Sequence, residues 1–298
     1  MTRRLFLIVA AVAVAFGAAA VHAGASSATY QGGNGRLTFS VLGRNVDVYS
    51  VLPSGRRVRR LTSDKAFDAC PSWSRDGRTI AYCSDASGRY EIWTMRADGS
   101  GKHRETDLES NATFPDLSPD GRTIVFYDCA KTCRIMSVDR ATGKEKVLVD
   151  DPTADDTDPV WSPNGRTIAF LRTKKSGAAQ ILLAHRDGTG VRALTRETKP
   201  FGPFGPDWKP DGSLLAYGAQ GDIWTVDLRG RTRRLTRDKP SEYAPAWAPD
   251  GSKIAYLHGL GGARRVFAMR ANGIGAHVVA GRLGGPQLAP SWQPLPRR

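Results

Sequence analysis

The chain has 298 residues, with 43 Lys and Arg against 29 Asp and Glu for a formal charge of +14; its 40% apolar and 24% charged fractions are those of an ordinary globular protein. Its 32 Gly and 18 Pro are too many for a bundle of long helices and too few for a collagen-like or low-complexity polymer, which favours a turn-rich β protein. The length is ample for a core that needs neither metal nor dense disulfides, and composition alone names no function.

The first segment pairs a basic start, Arg3 and Arg4, with an apolar stretch from Leu5 to Val21 and small residues at Ala23 and Ala25. This is the pattern of a secretory signal peptide, residues 1–23, cleaved after Ala23 or Ala25. The stretch just reaches the lower end of a membrane-spanning length, so an uncleaved anchor is the alternative. No Cys follows it to carry a bacterial lipid anchor. The mature protein is therefore expected to be soluble and periplasmic or secreted, with residues 24–33 a flexible segment.

From residue 71 onward one phrase recurs. It runs Pro71 to Tyr82, Pro115 to Phe126, Pro159 to Phe170, Pro206 to Tyr217 and Pro245 to Tyr256, and its turn glycines Gly77, Gly121, Gly165, Gly212 and Gly251 are 44, 44, 47 and 39 residues apart. That is the period of a four-stranded propeller blade. Each phrase predicts a hairpin: an apolar strand with an inward Trp, an Asp-Gly or Asn-Gly turn, then an alternating strand such as Thr79 to Tyr82. A third strand follows, as at Ile92–Met95, Ile135–Val138, Ile181–Leu183, Ile223–Val226 and Val266–Met269. A short basic fourth strand closes the repeat, as in Arg192–Thr195 or Arg233–Thr236.

The ends of the chain complete the count. Asn34 to Phe39 opens without an inner strand, and Pro290 to Pro294 supplies one without the rest. The fold class is thus all-β: a six-bladed β-propeller of four-stranded antiparallel blades, 34–294, closed by pairing of the C-terminal strand with the N-terminal blade. The blades fall at about 34–63 with 287–294, 67–107, 111–150, 155–196, 201–237 and 241–281. Closure removes the free edge that an open stack of blades would expose.

The phrase P-x-W-S-P-D-G-[RK]-x-[IL]-[AV]-[FY], followed by I-[WY]-x-[MV] and R-x-L-T strands, resembles the TolB-type propeller repeat, which is related to WD repeats. Departures are in detail: Arg75 for Pro, Leu117 for Trp, Gln293 for Ser. The resemblance implies an exported six-bladed propeller. TolB-type proteins also carry an α/β domain before the propeller and serve in an envelope complex with an outer-membrane lipoprotein; no room for that domain is expected here, so the Tol role is not carried over. Similar propellers cap prolyl-oligopeptidase-type enzymes, whose hydrolase domain is likewise not expected.

All four cysteines fall in two close pairs, Cys70 with Cys83 and Cys129 with Cys133, each flanking or closing a hairpin. In an exported protein two local disulfides are expected, with a four-cysteine zinc site as the alternative. Five of the seven Trp share one repeat position and the other two share the third-strand position, so all read as packing between blades. The repeated Asp76, Asp120, Asp211 and Asp250 read as turn formers, not paired catalytic carboxylates. No G-x-S-x-G elbow or H-E-x-x-H occurs, and His103, His185, His258 and His277 lack metal-ligand spacing, so no catalytic residue is assigned.

The loops entering each inner strand converge at one mouth of the central channel. Three residues before each repeat Pro stand Asp68, Ala112, Asp156, Pro203, Glu242 and Gln287. Asp68, Asp156 and Glu242, with Asp158, are expected to form an acidic mouth able to hold a cation such as calcium or a basic peptide segment, with Phe67, Phe114, Phe204 and Tyr243 as apolar contacts; solvated loop carboxylates are the plainer account. The basic excess gathers on fourth strands, at Arg56, Arg57, Arg59 and Arg60 and at Arg231, Arg233, Arg234 and Arg237. It suits an anionic envelope polymer or guards blade edges, and nucleic acid is not expected. The function expected is a monomeric, non-enzymatic scaffold for a protein or peptide partner, with no cofactor. The alternative is a metal-dependent lyase or lactonase acting in the channel.

Overall fold

The computed structural model describes residues 31–196, 204–237, 241–259, 263–281 and 283–296. The leader at 1–23, most of the segment 24–33 and Pro203 lie outside them. Six four-stranded antiparallel sheets form, each built around one inner strand: Gln287–Leu295, Asp68–Trp73, Asn111–Leu117, Ala154–Trp161, Phe204–Trp208 and Glu242–Trp247. We number the blades 1 to 6 in that order. Each inner strand packs on the next, and the sixth packs back on the first, so the sheets close into a ring. Among the described residues no helix is long and apolar enough to cross a membrane.

Closure is made by the C-terminal strand. It pairs antiparallel with Gly33–Leu42, placing Leu37 opposite Trp292 and Gly33 opposite Leu295, and this sheet then continues through Val46–Val51 to Arg59–Arg60. The same strand fastens blade 1 to blade 2, because Gln293 Nε2 donates to the Gly77 carbonyl at 2.8 Å. Gly77 sits at φ +67°, and a Cβ there would collide with the Pro294 carbonyl, so glycine is required twice over.

The repeat phrase explains the blades atom by atom. In its turn, Ser74 Oγ donates to Asp76 Oδ1 at 2.6 Å while the Arg78 amide donates to the same oxygen at 3.0 Å; Ser118, Asp120 and Arg122 copy this, as do Ser162, Asn164 and Arg166. The carboxylates therefore serve their own turns. Just past the fourth strand a Thr is a staple, ending R-x-L-T in three blades and His103-Arg-Glu-Thr106 in blade 2: the hydroxyls of Thr62, Thr106, Thr195 and Thr236 accept from the amides of Val48, Ile92, Ile181 and Ile223 at 2.9–3.0 Å. The five repeat tryptophans Trp73, Trp161, Trp208, Trp247 and Trp292 are buried, and Leu117 fills the same place in blade 3.

One feature of the inner strands is not visible in the pattern of the phrase. In every blade the pairing of first and second strands slips at the residue before the repeat Pro, so two residues oppose one. That residue has positive φ in all six blades: Cys70, Phe114, Asp158, Gly205, Ala244 and Ala289, at +42° to +56°. Five are not glycine, although the left-handed conformation costs an L-residue about 1 kcal/mol or more. Proline suits the bulge, since a bulged residue has no ladder bond to donate.

The bulge also decides the cysteines. Cys129 and Cys133 stand directly opposite at a hairpin end, Cα atoms 4.1 Å apart, and are disulfide-bonded. The local bridge expected between Cys70 and Cys83 is not formed. The register places Cys83 opposite Ala69, the bulge carries Cys70 out of the ladder, and both remain buried thiols.

Candidate functional site

All six inner strands enter the ring in the same sense, so the loops preceding them share one face. There the bulge residues of successive blades meet. The Phe114 amide lies on the Cys70 sulfur, and the charge of Asp158 reaches both Cys70 and Tyr127. Burial first, then the neighbouring Cys83, pushes the Cys70 thiol up, and burial does the same to Tyr127.

The expected acidic residues are present at this end, but they are inside the wall. Asp68, Asp156, Asp158 and Glu242 are 1%, 0%, 5% and 2% exposed. Each of the three entry acids faces the second strand of its own blade, where sequence reading could not supply its partner: Asp68 opposes Ser84, Asp156 opposes Arg172 and Glu242 opposes His258. Arg172 grips Asp156 with Nε to Oδ1 and Nη2 to Oδ2, both 2.7 Å, and reaches Asp151 at 2.8 Å. His258 Nδ1 lies 3.2 Å from Glu242 Oε1. Asp68 takes hydrogen bonds from Ser84 and Thr62. Burial nevertheless pushes the carboxyls of Asp68 and Asp156 up, because desolvation outweighs these partners. Gln287, at the same place in blade 1, is consumed likewise: its Oε1 accepts from the Val266 amide and its Nε2 donates to the Ala280 carbonyl. An open carboxylate patch is thus not what the mouth presents, and among the described residues no group of three or more His, Cys, Asp or Glu is disposed to hold a metal ion.

What the mouth presents is apolar on one side. Phe67 meets Tyr90 edge-to-face at 5.5 Å and Phe114 stacks on the buried Tyr127 at 5.4 Å, and Phe67 and Phe114 join Leu42, Leu108 and Leu288, all partly buried over the core of blades 1 to 3. Tyr243, across the ring, donates to the Gly259 carbonyl at 3.2 Å. Phe204 opens the inner strand of blade 5 opposite Gly218. The opposite face carries a cavity of about 520 Å³ between blades 4 and 5, with Trp208, Leu183 and Leu228 beside Arg75, His185 and Arg192; it is bounded by repeat turns, and none of the expected mouth residues lines it.

Among the described residues seven buried acids lie outside the sequence reading, and two of them, Asp116 and Asp207, stand directly after the repeat Pro. Asp116 accepts from Ser72 Oγ of blade 2 at 3.0 Å and from the Trp161 amide of blade 4 at 2.7 Å, bridging three consecutive blades, and Asp207 accepts from the Trp247 amide of blade 6. The signal was an acid directly after the repeat Pro, where other blades carry Ser72, Val160, Ala246 and Ser291.

With the ring, the phrase and the mouth described, comparison with known proteins decides the family. The model of the TolB beta propeller domain matches residues 17–199, more than half of the chain. The chain belongs to that family. A solved structure of TolB from Acinetobacter baumannii superposes with a TM-score of 0.74 at 21% identity, covering 87% of this chain and 67% of that one. An oligogalacturonate lyase from Vibrio parahaemolyticus superposes at 0.59 and 17% identity, covering 85% and 78%. In sequence, the uncharacterized protein Atu1656 of Agrobacterium fabrum is 38% identical over 61 residues, so the match spans only 20% of this chain and 21% of that protein. At such identities the TolB propeller and the lyase share a fold with this chain, and a fold shared by both does not choose between their roles.

Proposed function

We propose that this TolB-family propeller is an exported, non-enzymatic scaffold that holds a segment of a cell-envelope protein on the apolar side of its channel mouth, over blades 1 to 3. The observation that carries the reading is the cluster of partly exposed rings and leucines, Phe67, Tyr90, Phe114, Leu108 and Leu288, at the end of the ring where the loops differ from blade to blade. Aromatic side chains give a partner large contact area at little cost in rotamer freedom. The neighbouring carboxylates hold the loops in place from inside the wall. Export rests on the basic and apolar leader before residue 24.

The test is photo-crosslinking in the native envelope. A benzophenone amino acid at Phe67 or Leu108 is expected to give one discrete adduct, lost when Tyr90→Ser and Phe114→Ser are combined in the same chain, whereas the same probe at exposed Val191, on a turn at the opposite face, gives none. Equal labelling from both faces, or no adduct at the mouth, rejects the reading.

A further inference from the structure

The basic fourth-strand segment of blade 1 is not an even spread of charge. Arg36, which the repeat does not single out, lies along the blade face with Nε donating to Ser50 Oγ at 3.0 Å and Nη2 to the Ser50 carbonyl at 3.2 Å and to the Arg57 carbonyl. Ser50 is the register partner of Arg59, so Arg36, Arg57 and Arg59 come to one place on that face. The hairpin carrying them is anchored: the Leu52 amide donates to the Arg56 carbonyl at 3.0 Å, the Gly55 amide to the Leu52 carbonyl at 2.8 Å, and Gly55 abuts the Val279 carbonyl of blade 6. Arg57 itself is held at φ +53°, outside the region a non-glycine residue prefers.

Among the described residues no carboxylate neutralises this cluster. Among the described residues the one ion pair of the segment is Arg60 with Asp47, on the other face of the sheet, and no carboxylate lies within ion-pair distance of Arg36, Arg56, Arg57 or Arg59. Burial, together with the charges of Arg59 and Arg57, holds the Arg36 guanidinium below its ordinary value. A strained backbone that gathers like charges is sustained against its cost, and a bound anion would relieve the repulsion.

We propose that Arg36, Arg57 and Arg59, with Arg56 at the edge, form a binding site for a phosphate group, distinct from the channel mouth. Guanidinium forks match the oxygens of a phosphate in pairs, and several converging on one place favour a dianionic or diphosphate group over a single carboxylate. The exposed Val58 between Arg57 and Arg59 is compatible with a phosphate at the head of a lipid as well as a soluble one.

Inorganic pyrophosphate, titrated calorimetrically into the full mature chain at low and at 150 mM salt, is expected to bind with unit stoichiometry and to weaken at least tenfold in Arg59→Gln and in Arg57→Gly. Glycine at 57 suits the positive φ, so that variant is expected to melt no lower than the parent, which separates loss of binding from loss of fold. Arg231→Gln with Arg233→Gln, the other basic segment, is expected to leave binding unchanged. Vesicles of phosphatidylglycerol, with phosphatidylcholine as the reference, distinguish the source: pyrophosphate-competable capture assigns a lipid headgroup, and pyrophosphate binding without capture assigns a soluble phosphate. No pyrophosphate binding, or equal losses from the two arginine pairs, overturns the site.

Discussion

Each inner strand is fixed differently at its two ends. At the turn end, blade after blade uses the same few atoms, as in Ser74 with Asp76, Ser118 with Asp120 and Ser162 with Asn164. At the mouth end, the equivalent positions are held by unlike pairs: Asp68 by Ser84 and Thr62, Asp156 by Arg172, Glu242 by His258, Gln287 by backbone. The turn end builds the ring, and in blades 2 to 6 its Asp or Asn accepts from the amide two residues on. The mouth end has only to satisfy each buried polar group, so its loops are free to differ and to carry a partner.

The largest expected effect comes from breaking the turn-end fastening altogether. Removing residues 287–298 takes out Trp292 and the only partner strand of Gly33–Leu42 on its inner side, and the product is expected to lose cooperative unfolding. A truncated chain that melts with the parent would mean the ring is not what holds the blades. A finer version compares two glycines of the same turn. Gly77 and Gly121 have φ of +67° and +69°, yet a Cβ at Gly77 meets the Pro294 carbonyl while one at Gly121 meets nothing within 4 Å. Gly121→Ala is expected to cost about 1 kcal/mol for the conformation alone, and Gly77→Ala clearly more, measured by urea unfolding. Equal costs would show that the closing strand does not press on that turn.

At the mouth end the Cys129–Cys133 bridge closes a very short loop, so replacing both by Ser is expected to cost about 2 kcal/mol, less than removing a bridge across a long loop. Unchanged stability of the double variant in the absence of reductant would show that the bridge contributes nothing to the folded state.

The turn end was legible in the sequence because it is repeated: Pro, Trp, Asp and Gly recur at fixed offsets, and the complementary termini gave the sixth blade. The mouth end was only half legible. Counting back from the repeat Pro found Asp68, Asp156 and Glu242 correctly as entry residues, but whether such a side chain faces water or the second strand depends on a register that the bulge resets. Ser84, Arg172 and His258 lie 16 residues away along each hairpin, in a part of the repeat that carries no common residue. The same bulge separated Cys70 from Cys83 in the ladder. Asp116 stood in the phrase itself but was masked by variation at its position, since only some blades bridge there.

The last difference between the two ends is one of sign. Asp68 is pushed up by burial, so folding favours its protonated form; its contribution is fully present below the unfolded value near 3.9 and is lost as pH rises through the folded value. Asp120 is pulled down, first by the Ser118 hydroxyl, so its contribution is present above about 3.9 and is lost as pH falls through the folded value. Asn is a fair replacement at the turn, because Asn164 already makes the same bonds in blade 4. Asp120→Asn is thus expected to destabilise most at pH 7 and to approach the parent as pH falls, whereas Asp68→Asn loses an unfavourable buried charge and gains most, relative to the parent, at pH 7. Thermal unfolding of the three proteins from pH 3 to pH 7.5 checks this: parallel slopes for the two variants would mean that both acids sit in equivalent surroundings, and that the two ends of the strand are not built on different principles.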